Sequence, residues 1–204
     1  MMCLRKWLFS LVVATTVGVF AAISNAHEAP KTEEPSWQAQ NFPGGDFTLQ
    51  SVDGRLSLHD LHGKVVLLFF GFTSCPDTCP MALAVIARVF SMMSPDDLKK
   101  TRALFVSLDP EKDTLDVLKQ YTGYFHPNIV GVTDRLEILI ELSERYGVQY
   151  RREDMSESPL GYVIYHTSDV LVLDTWGRLQ QQRMPPSATV EEIAAYVKEL
   201  LPHQ

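Results

Sequence analysis

The chain has few cysteines, little basic charge and no repetition. Only three cysteines occur in 204 residues, too few for the dense disulfide framework of a small secreted domain. The formal net charge is −7 with no long basic stripe, which argues against a general affinity for nucleic acid or anionic lipid. Neither an internal repeat nor a low-complexity tract occurs. With 46% hydrophobic and 21% charged residues, the composition instead predicts one globular domain with a sizeable core.

The first 26 residues have the pattern of a secretory signal peptide. A short basic region at Arg5 and Lys6 precedes the apolar run 8–23, and small residues at Ser24 and Ala26 favour cleavage after Ala26. The apolar run also reaches the lower length limit of a membrane span, so an uncleaved membrane anchor is the alternative. Both interpretations predict that the chain from residue 27 onward lies in the periplasm or another extracytoplasmic compartment.

The rest of the chain divides into a tether and a domain. Residues 27–45 are polar and interrupted by Pro and Gly, which predicts a flexible tether ahead of a domain over 46–204. In the domain, a hairpin is predicted around Asp53 and Gly54, because alternating apolar residues flank a turn signal. Apolar patterns then predict strands at 65–70, 102–108, 129–132, 163–165, 170–174 and 179–182, and helices at 81–93, 113–124, 136–146 and 189–201. Such alternation is typical of an α/β fold with a mixed sheet flanked by helices.

Two of the three cysteines lie where a buried strand gives way to a helix. Cys75 and Cys79 follow the apolar run 65–70 and open the first long helix, whereas Cys3 belongs to the leader. A disulfide between Cys75 and Cys79 would enclose only three residues, so it would stabilise the fold little. The two cysteines are therefore interpreted as reactive or metal-binding thiols and not as a disulfide that stabilises the fold. A helix N-terminus stabilises a thiolate, which favours both metal binding and thiol–disulfide exchange.

A downstream histidine, His166, is a candidate third member of this site. Two thiolates and one imidazole suit copper(I), which prefers sulfur ligands. The residues alone leave a second interpretation open, in which Cys75 and Cys79 exchange with a disulfide of another protein. Two cysteines between a first buried strand and a helix match the thioredoxin plan. However, thioredoxin-like oxidoreductases have two residues between their cysteines, and here three residues intervene.

These motifs together resemble the Sco/SenC family of copper-binding cytochrome oxidase assembly proteins. The resemblance rests on the Cys75-Pro-Asp-Thr-Cys79-Pro core, on the stretch 106–114 and on Tyr162-Val-Ile-Tyr-His166, in that order. It covers roughly residues 40–202. It implies a thioredoxin-like fold with Cys75, Cys79 and His166 as ligands of copper, in the Cu(I) state first and Cu(II) as a second candidate.

The role implied by the resemblance is that of an extracytoplasmic copper chaperone and not of an enzyme with turnover. Its expected partners are the cytochrome c oxidase subunit that carries the dinuclear copper site and other copper chaperones. The alternative is a thiol–disulfide reductase, with Cys75 and Cys79 as a redox-active disulfide that keeps the copper-site cysteines of the oxidase reduced. Nucleic acid is not an expected partner, and the N-terminal segment is the candidate for membrane anchoring.

A few further residues could have a role at the metal site or a purely structural or solvated one. The family usually has Asp immediately before the ligand histidine, whereas this chain has Tyr165, which is interpreted as an ordinary strand residue. His59 and His62 lie three residues apart in a turn and are interpreted as solvated, although they and His27 are the next metal candidates. Asp109 and Asp113 belong to the family motif and are predicted, on physical grounds alone, to be turn and cap residues.

Overall fold

The computed structural model describes residues 42–202. The predicted signal peptide and residues 27–41 of the predicted tether lie outside this range. The last residues of the predicted tether contact the domain: the Tyr146 hydroxyl donates to the Gly45 carbonyl over 2.7 Å, and the Gly44 N–H donates to the Arg145 carbonyl over 3.0 Å. No helix within residues 42–202 is long and apolar enough to cross a membrane.

Eight strands, five helices and one short 3-10 turn make up the described part of the chain. The strands are β1 (Thr48–Ser51), β2 (Gly54–Ser57), β3 (Val65–Gly71), β4 (Thr101–Ser107), β5 (Ile129–Thr133), β6 (Tyr150–Asp154), β7 (Tyr162–His166) and β8 (Leu171–Leu173). The helices are α1 (Thr78–Ser91), α2 (Pro95–Lys99), α3 (Leu115–Phe125), α4 (Leu136–Arg145) and α5 (Val190–Leu200), and the 3-10 turn is Leu58–Leu61.

Six strands form one mixed sheet with the order β2-β1-β5-β4-β3-β8. The central strands β3, β4 and β5 are parallel, since helical connections join them, whereas β8 runs antiparallel to β3 and β1 antiparallel to β5. This arrangement confirms the predicted mixed sheet flanked by helices. The carboxyl end of β3, where the cysteine loop begins, pairs with β4 through Gly71 and Ser107 and extends beyond the residues paired with β8.

Alternate residues of β3 enter two separate apolar layers. Val65, Leu67 and Phe69 pack under α1 and α5 on one face of the sheet. Residues Val66 and Leu68 pack on the other face, where Leu139 and Leu142 of α4 cover the sheet. Successive side chains of a strand point to opposite faces, so a strand covered on both sides is apolar throughout.

The strands β6 and β7 form a separate two-stranded antiparallel ribbon. Along β7, Tyr162 and Ile164 are buried, while Tyr165 is exposed. The period of two places His166 on the same face as Tyr162 and Ile164, toward the core. The ribbon therefore presents His166 to the main sheet.

Most elements form near their predicted positions, and the exceptions have physical reasons. The predicted strand 179–182 does not form a continuous ladder. Only isolated bridges occur there, between Leu179 and Leu173 of β8 and between Met184 and Val170, the residue before β8. The segment is polar and is followed by Pro185 and Pro186, which cannot donate to a ladder. The polar strand β6 and the short helix α2 are absent from the prediction, since neither shows an apolar period. Helix α1 begins at Thr78, three residues before its predicted start.

Candidate metal centre

The two cysteines lie at the junction of β3 and α1. Strand β3 ends at Gly71, beside Ser107 at the end of β4, and α1 begins at Thr78. Between them the chain turns sharply, with the Cys75 N–H donating to the Phe72 carbonyl over 3.3 Å. The turn places Cys75 in front of the helix N-terminus and Cys79 in its first turn. The first N–H groups of a helix have no partners within the helix, so they can donate to a thiolate.

Cys75 has the surroundings of a stabilised thiolate. Its half-buried sulfur lies 3.3 Å from the Thr78 hydroxyl oxygen and 3.5 Å from the Cys79 backbone nitrogen, which donates to it. Hydrogen bonding from the Cys79 side chain, supported by the Thr78 hydroxyl, lowers the pKa of Cys75 to about 3 against the opposing effect of burial. An ionised sulfur is the nucleophilic and metal-binding form of cysteine.

Cys79 is the buried member of the pair. It is 0% exposed, and its hydrogen bond to Cys75, together with burial, raises the pKa of its thiol above the ordinary value. Its sulfur occupies the space left by the missing side chain of Gly71, since a Cβ there would come within 2.8 Å of it. Of the two thiols, Cys75 loses its proton first and Cys79 keeps it.

His166 directs one ring nitrogen at Cys79. Its Nε2 lies 3.6 Å from the Cys79 sulfur, and its Nδ1 lies 2.9 Å from the Thr167 carbonyl oxygen. A carbonyl only accepts, so Nδ1 carries a proton, and in the neutral form of the ring the lone pair of Nε2 faces the sulfur. Phe69 and Phe72 hold the ring edge-on, at centroid distances of 6.2 and 5.8 Å.

The structure thus brings Cys75, Cys79 and His166 to one place, with Cys79 in contact with each of the other two. Among residues 42–202 no three or more His, Cys, Asp and Glu side chains form a preassembled metal cluster. The donor set nevertheless fits copper(I), because it combines two sulfurs, one of them with a lowered pKa, with an imidazole nitrogen that can accept. The Thr167 carbonyl also accepts from Nδ1, a hydrogen bond of the kind that orients an imidazole when it binds a metal.

The other residues named from the sequence lie elsewhere. Tyr165 points away from the cysteines on the outer face of β7, where the Arg151 guanidinium lies 4.5 Å from its ring centre. This position agrees with its interpretation as an ordinary strand residue. The exposed rings of His59 and His62 contact each other at 4.5 Å between centroids, in the turn before β3. His27 lies outside the described residues.

Several residues that shape the site could not be assigned a role from the sequence. Asp113 is not a helix cap, because Thr114 caps α3; it is instead fully buried and receives hydrogen bonds from Thr73 in the cysteine loop. Asp109 does begin a turn, and its carboxylate also accepts from the Tyr162 hydroxyl. Only the family resemblance drew attention to this stretch, and Tyr162 itself has no sequence signal beyond its place in that motif.

Comparison with known proteins identifies the family. The SCO1/SenC family profile matches residues 36–202, so the chain belongs to the SCO1/SenC family. A SCO2-like protein of Rickettsia felis is 32% identical over 136 residues, which cover 66% of this chain and 66% of that protein. The apo Sco1 structure from Thermus thermophilus is 33% identical with a TM-score of 0.71, over 79% of this chain and 93% of that one.

A solved structure with copper bound is similarly close. ScoI of Bradyrhizobium japonicum, described with copper bound, is 32% identical with a TM-score of 0.69. The superposition covers 78% of this chain and 99% of that one. These likenesses confirm the thioredoxin-like fold and the Sco/SenC resemblance found in the sequence.

Proposed function

We propose that this chain is an extracytoplasmic copper chaperone that serves assembly of the dinuclear copper site of cytochrome c oxidase. Copper(I) is its cargo, and Cys75, Cys79 and His166 are the residues that hold it. The observation that carries the proposal is the convergence of three donor groups: His166 Nε2 lies 3.6 Å from the Cys79 sulfur, beside Cys75 with its lowered pKa. Membership of the SCO1/SenC family and the copper-bound ScoI relative support it.

A copper titration tests this proposal. The reduced chain, purified without oxygen, should bind one copper(I) per molecule, measured by competition with a chromophoric copper(I) chelator. Cys75→Ser should abolish tight binding, because a serine hydroxyl stays protonated at neutral pH and is a hard, weak ligand. His166→Ala should weaken binding strongly, while His62→Ala, which removes an exposed imidazole outside the site, should leave it unchanged. Stoichiometric copper in the variant that lacks both cysteines would refute the assignment.

The unequal pair of cysteines favours a second candidate function, thiol–disulfide reduction. The half-exposed thiolate of Cys75 can attack one sulfur of a partner disulfide, which forms a mixed disulfide and releases the partner's other sulfur as a thiolate. Cys79 then loses its proton and attacks the Cys75 sulfur, so the partner leaves as a dithiol and the chain keeps the disulfide. Two electrons pass to the partner. The dithiol must be restored before copper can bind, so the two functions are compatible.

The His166→Ala variant separates the two candidates. Reduction requires only the cysteines, whereas copper binding requires all three side chains. A cell that carries His166→Ala should therefore lose oxidase activity while the purified variant still exchanges thiols with a small disulfide at the native rate. Normal oxidase assembly in that variant would instead favour the reductase.

A further inference from the structure

The two halves of the candidate metal centre come from distant parts of the chain. The cysteines lie between β3 and α1, and His166 ends β7 in the separate ribbon. The segment between β4 and α3 contacts both halves. It contains two buried carboxylates, Asp109 at 2% exposure and Asp113 at 0%.

Asp113 holds the cysteine loop. One of its carboxylate oxygens accepts from the Thr73 N–H over 2.9 Å and from the Ser107 hydroxyl over 2.6 Å. The other accepts from the Thr73 hydroxyl over 2.5 Å. Thr73 precedes Cys75 by two residues. A buried carboxylate with three donors is a rigid anchor, because each hydrogen bond to a charge is stronger than a neutral one and none exchanges readily with water.

Asp109 holds the strand that carries His166. Its Oδ2 accepts from the Tyr162 hydroxyl over 2.7 Å. Tyr162 begins β7 and lies on the same face as His166, four residues further along. The Arg152 guanidinium of β6 lies 3.8 Å from the centre of the Tyr162 ring and pairs with Glu111 over 3.1 Å, so this turn contacts the ribbon at a second point.

Hydrogen bonds offset only part of the free-energy cost of burying the Asp109 carboxylate. Its Oδ1 has no hydrogen-bond partner among residues 42–202, and burial raises the pKa of the group. Removing a carboxylate from water without full hydrogen bonding destabilises the fold. The bond that Asp109 does make is to the strand of His166. Its backbone carbonyl meanwhile accepts from the Asp113 N–H over 2.9 Å, which joins the two carboxylates in one turn.

From these contacts we infer that the turn 109–113 is a common support for the site: Asp113 positions Cys75 through Thr73, and Asp109 positions His166 through Tyr162. None of these four supporting side chains is a ligand. This support belongs to the proposed copper site, so the copper measurement below rests on the proposed function. We call the contact of Asp113 with Thr73 and the contact of Asp109 with Tyr162 the two arms of this support. Loss of one arm should disturb one half of the site and leave the other half intact.

A double-mutant cycle with copper(I) tests the Asp109 arm. Tyr162→Phe keeps the ring but removes the hydroxyl, and it should weaken copper(I) binding by up to about 10-fold. The effect stays at or below the cost of losing a hydrogen bond to the ligand itself, because Tyr162 acts on His166 only through strand β7. In a His166→Ala background the same change should have no further effect, because the residue through which it acts is gone. Tyr165→Phe, which removes a hydroxyl from the opposite face of β7, is the matched control and should bind as the native chain does. An equal loss in both backgrounds would overturn the inference.

Two measurements without copper test both arms. Tyr162→Phe should shift the ring resonances of His166 in NMR spectra but leave the rate of Cys75 alkylation at fixed pH unchanged. Thr73→Val should change the rate of Cys75 alkylation several-fold, because the loop that positions the sulfur loses a hydrogen bond, and it should leave the His166 resonances in place. Thr73→Ser, which keeps the hydroxyl, should react at the native rate. If either variant changes both probes equally, the support does not act as two arms and the inference fails.

The copper-free probes also distinguish this inference from the proposed function. If His166→Ala binds copper(I) as tightly as the native chain, the proposed ligand set is wrong. The resonance and alkylation measurements then still decide whether the turn 109–113 positions the two halves.

Discussion

At the scale of single residues, the site is defined by an unequal pair of thiols. Cys75 is half-buried and has a lowered pKa, and Cys79 is fully buried with a raised pKa. A thiolate formed at one sulfur is stabilised by the proton kept at the other. The spacing of four residues makes this arrangement possible, because it puts one cysteine before the helix and the other in its first turn.

The lowered pKa of Cys75 predicts an unusual pH profile for its alkylation. With a folded pKa of about 3, the thiolate is already formed at pH 5, so its reaction rate with iodoacetamide should be nearly flat from pH 5 to pH 8. The rate should fall only as the pH drops through the folded pKa. An ordinary thiol, with a pKa of about 8.5, instead reacts about tenfold more slowly for each pH unit below that value.

The same chain unfolded in urea is the control for this profile, because unfolding returns the thiol to its ordinary pKa. Labelling followed by mass spectrometry would report the reaction at Cys75 directly. A native profile as steep as the unfolded one would contradict the arrangement of donors around this sulfur.

The chemical residues of the site were predictable, but their supports were not. Cys75, Cys79 and His166 stand out because their residue types are rare and reactive. Asp113 and Tyr162 have no such signal, since an aspartate near a turn and a tyrosine in a strand are ordinary. Their roles depend on contacts between segments about 40 and 53 residues apart in sequence, and no local pattern encodes such contacts.

At the scale of elements, the site depends on close packing between β3 and α1. Gly71 ends the strand directly behind the first turn of the helix. A Cβ at this position would lie 2.8 Å from the Cys79 sulfur, 2.9 Å from Phe105 and 3.0 Å from Phe69. These distances are too short for real contacts, so a side chain here would force the helix and the strand apart.

Gly71→Ala should therefore lower the free energy of unfolding by about 1–3 kcal/mol, the usual cost of an extra methyl group in a packed core. It should also weaken copper(I) binding, because the Cys79 sulfur must move. Gly123→Ala in α3 is the matched control, since a Cβ there meets nothing within 4 Å and alanine favours a helix. Urea unfolding measures both variants. Equal stability of the two would show that the gap behind Cys79 is not required.

The predicted elements were most accurate where an apolar run is buried on both faces. Strand β3 was predicted at 65–70 and occupies Val65–Gly71. The polar strand β6, with Arg151 and Arg152 in its centre, could not be recognised, because it is held by pairing with β7 and not by an apolar period. Residues 179–182 show the opposite error, a predicted strand that does not form. Strand formation depends on pairing, and this segment touches β8 without forming a continuous ladder.

At the scale of the whole molecule, the fold rests on two apolar layers and not on the cysteine pair. The layers lie on opposite faces of the six-stranded sheet, and Cys79 is one small member of the larger one. A disulfide between Cys75 and Cys79 closes a loop of only three residues, so it restricts the unfolded chain little.

Oxidation of the pair should therefore switch copper binding off without unfolding the domain. The sulfurs of a disulfide carry no negative charge and cannot act as thiolate ligands, so copper uptake must follow reduction. Circular dichroism spectra of the reduced and oxidised chain should nearly coincide, while only the reduced chain takes up copper(I). Equal uptake by the fully oxidised chain would place the copper elsewhere, with His59, His62 or His27 as the next candidates.

The difference in exposure between the two cysteines also determines the order in which a partner protein can react with them. A group on a partner protein can reach Cys75 from solvent, but it cannot reach Cys79, which has no exposed surface. Exchange with a partner therefore begins at Cys75 and ends at Cys79, whether the exchanged bond is to a metal or to sulfur. If copper is the cargo, as proposed, the same order would let a partner's ligand approach at Cys75 while Cys79 still holds the ion inside the domain.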